Sequence, residues 1–350
     1  MRGRRALVLS MVVVAVGVLT AVAAYYLDPS RGTVGPMPGV GLALPAETRV
    51  VTGLDVQRLV HSPVYQRFFS GANRPQAFTE LQARTGLRAE RDVQEVLLSS
   101  QAREGRTGAV AIVSGTFDRQ RVVRAVEGQR GMSTRTHEGR ALYVFHPDGA
   151  PSSALAFLED DVLALGTEPE VEQTVTGYVR GTGGLRGNAE LLALVQSIKP
   201  GATVWSAGDE TLLSRLPSAL PSAGGLPAMT LPGLKSVVFT GDLEPAVAFE
   251  AVIQTRDEKS AQQIAGMAGM IIGLARMQGG QRPEMQQLAS AITVTTDQSR
   301  VRLNGSFSDD LLAALQKSQG QRGAGPGTTP GPPAPPAAPP SEPEGEAEER

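Results

Sequence analysis

The side chains with the most chemical potential in this chain are three histidines, His61, His137 and His146, and the carboxylates near them. His137 and Glu138 are adjacent, so an imidazole and a carboxylate could divide the proton transfers of a hydrolase. Together with His146, nine residues on, they could also begin a zinc site. Such a site needs three or four convergent ligands, and two histidines at this spacing without a surrounding frame read as surface residues. His61 precedes Ser62-Pro63, a helix-boundary signal, and is given a local structural role. Glu159-Asp160-Asp161 offers oxygens for Ca²⁺ or for acid–base work. Calcium loops alternate their oxygen ligands along the chain, so three consecutive carboxylates fit a solvated turn better.

The recognisable catalytic frames are missing. The chain has no helical His-Glu-x-x-His, no Gly-x-Ser-x-Gly elbow and no Walker-type glycine loop ending in lysine. The glycine-dense stretch Gly181 to Gly187 follows a helical pattern rather than a strand, which makes it a linker and not a dinucleotide loop. Zero cysteine excludes disulfides, thiolate nucleophiles and cysteine metal sites. A net charge of -2 argues against nucleic acid as a partner. With 4% aromatics and Trp205 as the single tryptophan, stacking platforms for bases or sugars are also disfavoured. No cofactor or metal is expected, and the chain is read as non-enzymatic.

The elements that would position a site are easier to see. At 350 residues, with 41% hydrophobic content, the chain can build a sizeable aliphatic core. A strand-to-helix junction recurs. Val51-Thr52-Gly53-Leu54-Asp55 and Val113-Ser114-Gly115-Thr116-Phe117-Asp118 each end at an Asp that can cap a following helix. Looser copies are Trp205 to Asp209, and Asn304 to Ser308. Four junctions predict two related halves, 43–182 and 183–318, in an α+β fold with mainly antiparallel sheets.

Strands are predicted at 93–99, 108–117, 141–146, 202–207, 235–241, 246–255, 291–297 and 300–307. A hairpin is predicted around Glu159-Asp160-Asp161. Thr167 with Glu170 makes a capping-box pattern ahead of a helix. A helix over 258–278 carries no charge from Ile264 to Ala275, a run too short to span a bilayer. Gly266, Gly269 and Gly273 share one of its faces, where a neighbouring backbone could approach.

Both ends of the chain differ from this middle. Arg2, Arg4 and Arg5 precede an apolar run from Ala6 to Ala24, about the length that crosses ~30 Å of hydrocarbon. The basic flank favours a cytoplasmic N-terminus and export of the rest. Tyr25 and Tyr26 then fit an interfacial aromatic anchor. Residues 1–27 are therefore read as an uncleaved transmembrane signal anchor, with Arg4, Arg5, Tyr25 and Tyr26 at its borders. The alternative is a cleaved signal, using Ala21-Val22-Ala23 or Val22-Ala23-Ala24, and secretion. Residues 28–42 read as a Gly/Pro-rich tether. Residues 319–350 read as a disordered tail, rich in Pro and closing on Glu342, Glu344, Glu346, Glu348 and Glu349.

The order of these pieces resembles a set of exported bacterial proteins of no assigned activity, seen in acidobacteria and related groups. The resemblance is carried by Leu44-Pro45-Ala46, Asp55 with Ser62-Pro63-Val64-Tyr65-Gln66, Gly115-Thr116-Phe117-Asp118, and Ala156-Phe157-Leu158-Glu159-Asp160. It implies an envelope location and a duplicated α+β unit, and it transfers no site residues.

The leading expectation is a membrane-anchored envelope protein, single-pass in the inner membrane, with a non-enzymatic binding or scaffold domain outside the cytoplasm. Its expected partners are the lipid bilayer, through the N-terminal helix, and an envelope protein or the cell wall, through the tail. The alternative is an apolar-ligand carrier with a cleft between the halves lined by Ile264, Met267, Met270, Ile271 and Met277, since methionine suits adaptable apolar surfaces.

Overall fold

Continuous runs of buried aliphatic residues, as at 109–113 and 162–165, require cover on both faces of a sheet, and helices supply most of it. The computed structural model describes residues 39–69, 78–79, 82–83, 86–103, 106–146, 151–209, 233–244, 246–278, 283–308, 310–311 and 313–314. The anchor residues Arg4, Arg5, Tyr25 and Tyr26, the tether up to residue 38 and the 319–350 tail lie outside these residues. Among the described residues, no helix is long and apolar enough to cross a membrane.

In chain order, a 3₁₀ turn (Gly39–Ala43) precedes β1 (Val50–Asp55), α1 (Val56–His61), α2 (Pro63–Phe68), α3 (Ala89–Asp92), β2 (Val93–Arg103) and β3 (Arg106–Gly115). Then come α4 (Arg119–Glu127), β4 (Met132–His137), β5 (Arg140–Phe145), β6 (Ser153–Phe157), β7 (Val162–Thr167) and α5 (Glu168–Arg180). The second part holds α6 (Ala189–Gln196), β8 (Val204–Asp209), β9 (Leu234–Asp242) and β10 (Val247–Thr255). It closes with α7 (Glu258–Gln278), α8 (Pro283–Ser290), β11 (Ile292–Asp297) and β12 (Arg300–Phe307).

The strands form one 12-stranded sheet in the order β11-β12-β10-β9-β8-β1-β2-β3-β7-β6-β5-β4. Adjacent strands run antiparallel throughout. The expectation of an α+β protein with extensive antiparallel pairing describes this molecule, but the sheet is continuous across residues 182 and 183. The two parts join where β1 pairs with β8, in the register Val50↔Gly208 to Leu54↔Val204. From that seam each part steps outward through three strands. It then crosses by helix and returns a hairpin whose last strand, β7 or β12, lies beside the third. The first part carries the additional hairpin β4–β5.

Two residues per period of two place alternate side chains on opposite faces. On β3, Val110 and Ile112 join the core under α5 and α6, with Leu97, Trp205, Val171, Val175 and Leu191. Ala111 and Val113 join the opposite core, with Val60 of α1 and Val122 and Val126 of α4. Beneath α5 the outer strands present Ala154, Ala156 and Ala164, which leaves room for the helix. On the other face they present Leu155, Phe157, Leu163 and Leu165. Over the second part, α7 packs Ala261 and Ile264 against Val301.

Several local expectations need correction. The capping box does not form: the Thr167 hydroxyl accepts from Ala109 N–H at 3.1 Å and donates to the Glu170 carboxylate. Glu170 is buried against Gly108, where an added Cβ would lie 2.1 Å from its Oε1. The glycine stretch read as a linker also carries a core residue. Gly184–Gly187 makes a 3₁₀ turn that places Leu185 in the core. Residues 39–42, assigned to the tether, form most of the 3₁₀ turn, and that turn packs on α5. By contrast, Asp55 accepts from Arg58 N–H at 2.8 Å, and Asp118 accepts from Gln120 N–H at 2.8 Å, so both junction aspartates cap their helices.

These contacts separate two glycines by environment. A Cβ at Gly115 would stand 2.0 Å from the Asp92 carbonyl oxygen, whereas one at Gly269 meets nothing within 4 Å among the described residues. Gly115→Ala is expected to lower stability by about 1–3 kcal/mol through overpacking. Gly269→Ala, in an open helix interior, should raise it by ~0.5–1 kcal/mol. Chemical denaturation of the two variants checks the opposite signs.

Candidate functional site

The histidines are placed apart by the β4–β5 register. Met132 pairs with Phe145 and His137 with Arg140, so His137 and His146 stand at opposite ends of the hairpin. His146 lies between the Ser133 and Ser152 hydroxyls at 3.2 and 2.9 Å. His137 meets Thr176 Oγ1 at 2.8 Å and lies 3.8 Å from Glu172, both on α5. Glu138, in the turn with positive φ, accepts instead from Arg180. The pair considered for hydrolysis therefore diverges, and its members serve a polar seam that ties β4 to α5. Arg135 extends the seam by pairing with Glu168 and Glu172. His61 ends α1 with its ring Nδ1 2.6 Å from Gln57 O, the local role its position predicts. Among the described residues, no group of three or more His, Asp or Glu side chains could hold a metal ion.

The residues considered for an apolar ligand also separate. Ile264 is 3% exposed and faces the sheet, and Met267 packs partly against the same cluster. Ile271 is half-buried. Met270 and Met277 point the other way, 66% and 84% exposed, with Leu274 between them at 49%. One helix thus splits the set between its inner and outer faces, and at the seam the two parts join through the β1–β8 ladder. Among the described residues, nothing lies within 4 Å of where a Cβ would sit at Gly266, Gly269 or Gly273, so no neighbouring backbone among them uses that face.

A concave site that sequence reasoning missed lies at one end of the sheet, where the β4–β5 turn meets the end of β6 and the flanking helices. Its volume is about 300 Å³. Arg119, Arg140, Phe157, Ala141 and Val179 line it, with Glu138 and Gly139 from the turn. Arg119 Cζ lies 4.9 Å from the Phe157 ring centroid, and its guanidinium also reaches Asp160 at 3.2 Å. Arg140 donates to Phe157 O at 3.3 Å and covers the Tyr178 ring at 5.1 Å. Desolvation, and then the Glu159 carboxylate that accepts its hydroxyl at 2.9 Å, push the Tyr178 phenol above its ordinary range. The 159–161 hairpin is exposed, as a solvated turn should be, and two of its carboxylates, Glu159 and Asp160, pair with side chains at this end of the sheet.

A second missed feature is a carboxylate pair beside the seam. Asp55 and Glu95 are direct cross-strand partners on β1 and β2. Partial burial, and then the Asp55 charge, raise the Glu95 carboxyl above its usual value. Only the register of two strands brings these residues together, and nothing local in the sequence announces it.

No family model matches the chain. No curated protein matches it either. Crystal forms III, I and IV of TP0453 align with it at 11%, 10% and 11% identity and TM-scores of 0.49, 0.45 and 0.45. They cover 80%, 82% and 80% of this chain and 98%, 98% and 96% of their own. The chemistry of the site therefore has to be read from this chain's own residues.

The Glu95 arrangement has a defined pH signature. A raised carboxyl pKa means the folded state holds the proton more tightly than the unfolded chain. Its stabilising contribution is present below the ordinary value of 4.5 and is lost as pH rises through the folded value. Glu95→Gln should consequently raise the melting temperature at pH 7, with the gain shrinking towards zero near pH 4. Thermal unfolding across that range provides the check, and an equal gain at both pH values would contradict the assignment.

Proposed function

We propose that this chain is a membrane-anchored envelope protein whose α+β domain works outside the cytoplasm as a non-enzymatic binding or scaffold module. The apolar run Ala6 to Ala24 behind Arg2, Arg4 and Arg5 supports the anchoring and its direction. The matching strand order on the two sides of the β1–β8 seam supports a duplicated unit within the domain.

The observation that carries the binding role is the outer face of α7. From Ile264 to Ala275 α7 carries no charge on any face, and an apolar helical segment of that kind normally has partners on every side. Here Met270, Leu274 and Met277, spaced four and three residues apart, remain outside after the inner face has packed on the sheet. Exposed apolar rows of this kind mark interaction surfaces. The apolar-carrier alternative is less well supported, because Ile264 belongs to the core.

The reading is tested in membranes containing the full chain. A reporter active only outside the cytoplasm, fused after Ser318, is expected to be active. A photo-crosslinking residue at Met277 is expected to give a discrete envelope adduct that one at Gln262, an exposed polar position on the same helix, does not give. An inactive reporter, or the same adducts from both positions, would contradict the proposal.

A further inference from the structure

The cavity beside the β4–β5 turn combines features that specify a ligand class. Its two guanidiniums approach the same residue from different sides, Arg119 over the Phe157 ring and Arg140 at the Phe157 carbonyl. Arg119 has a carboxylate partner, but Asp160 is 94% exposed, so that pair is weak and exchangeable. Among the described residues, Arg140 forms no salt bridge. Its partners are a backbone carbonyl and an aromatic face, which leave part of its five-donor fork unused. Glu138 also lines the cavity, but its charge is met by Arg180. Among the charged residues that line the cavity, Arg140 is therefore the one with no carboxylate partner among the described residues.

The remaining lining sets the ligand's other requirements. Phe157 and Ala141 provide apolar wall, and Val179, 43% exposed, forms an apolar rim. A volume of about 300 Å³ is at the small end for ligand sites. It accommodates a short stem and not a large ring system. Dianions are disfavoured by the surrounding acids, since Glu138, Glu159, Asp160 and Asp161 all stand near this end of the sheet.

We infer that this cavity binds a monocarboxylate carrying a short apolar stem, such as a peptide C-terminus or a short fatty acid. The carboxylate takes the open side of the Arg140 fork, with Arg119 as the second cation, and the stem rests on Phe157, Ala141 and Val179. Guanidinium and carboxylate match as planar, two-pronged partners, which is why arginine rather than lysine suits this position. The inference goes beyond the proposed envelope role and does not depend on the membrane anchor or on the α7 face.

Calorimetric titration of the full chain in detergent micelles tests it, using N-acetyl-Ala-Leu, its C-terminal amide, and hexanoate as probes. At least one of the two carboxylates is expected to bind, and the tighter of the two identifies the source. The amide should bind at least about tenfold more weakly than the peptide acid, if the acid is the tighter probe. Arg140→Gln should weaken the bound carboxylate about tenfold or more, and Arg140→Lys should recover only part of the loss. Val179→Trp, which narrows the mouth without touching a charge, should also weaken binding, and an unchanged melting temperature shows that the fold is intact. Failure of both carboxylates to bind, an amide that binds as tightly as a peptide acid that does bind, or wild-type affinity of Arg140→Gln for the bound carboxylate would each overturn the site.

Discussion

The antiparallel pairing of β1 with β8 is the contact on which the rest of the structure depends. It joins segments about 150 residues apart and converts two runs of strands into a single sheet. The ladder is extended at one end by Asp55 N–H to Thr203 O at 2.9 Å and at the other by Asp209 N–H to Arg49 O at 3.3 Å. Side chains reinforce it: Thr52 and Ser206 share a hydroxyl hydrogen bond at 3.0 Å, and Arg49 pairs with Asp209. Trp205, fully buried, stands directly across from Gly53, so the bulkiest side chain of the chain faces the β1 residue that offers no side chain. Among the described residues its indole N–H has no hydrogen-bond partner, which leaves burial and packing as its contribution.

This seam also distributes the surfaces. The cavity lies by β5 and β6, near one edge of the sheet, whereas α7 covers β11 and β12 at the other. At ~4.8 Å between strands, these regions are roughly 40 Å apart across the sheet. A ligand held at Arg140 and a partner held on α7 can therefore be bound together without competing for space.

How much of this was legible in the sequence follows from whether the cause is local. Most strand positions were readable because they are aliphatic runs punctuated by glycine or acidic turns, and the 258–278 helix because its pattern is long. The junction aspartates were readable because an N-cap acts within three residues. The capping box at Thr167 failed because tertiary packing drew its hydroxyl to Ala109 and buried Glu170 against Gly108. The Gly181–Gly187 stretch read as a linker, yet Leu185 inside it is core. β4, with Arg135 and His137 facing α5, lacks the apolar alternation of a strand. Its pairing partner and the α5 acids explain its place.

The candidate sites were less legible still. Asp55 and Glu95 meet only through strand register, and Arg119 and Arg140 converge only after β6 and the β4–β5 turn reach the same end of the sheet. Sequence spacing does show that residues 264–275 are uncharged, but not which of them face outward. That division follows from α7 packing Ala261 and Ile264 on β12, which turns Met270 and Met277 away.

The most direct test of the account is hydrogen exchange at the amides of residues 50–55 and 204–209 in the folded protein. If the β1–β8 ladder unites the domain, these amides should be as slow to exchange as the core amides of 96–100 and 110–113, and should become exposed together with them in one cooperative opening. Early exchange at both strands, while the two flanking strand sets stay protected, would show two independently folded halves and contradict the single-sheet structure.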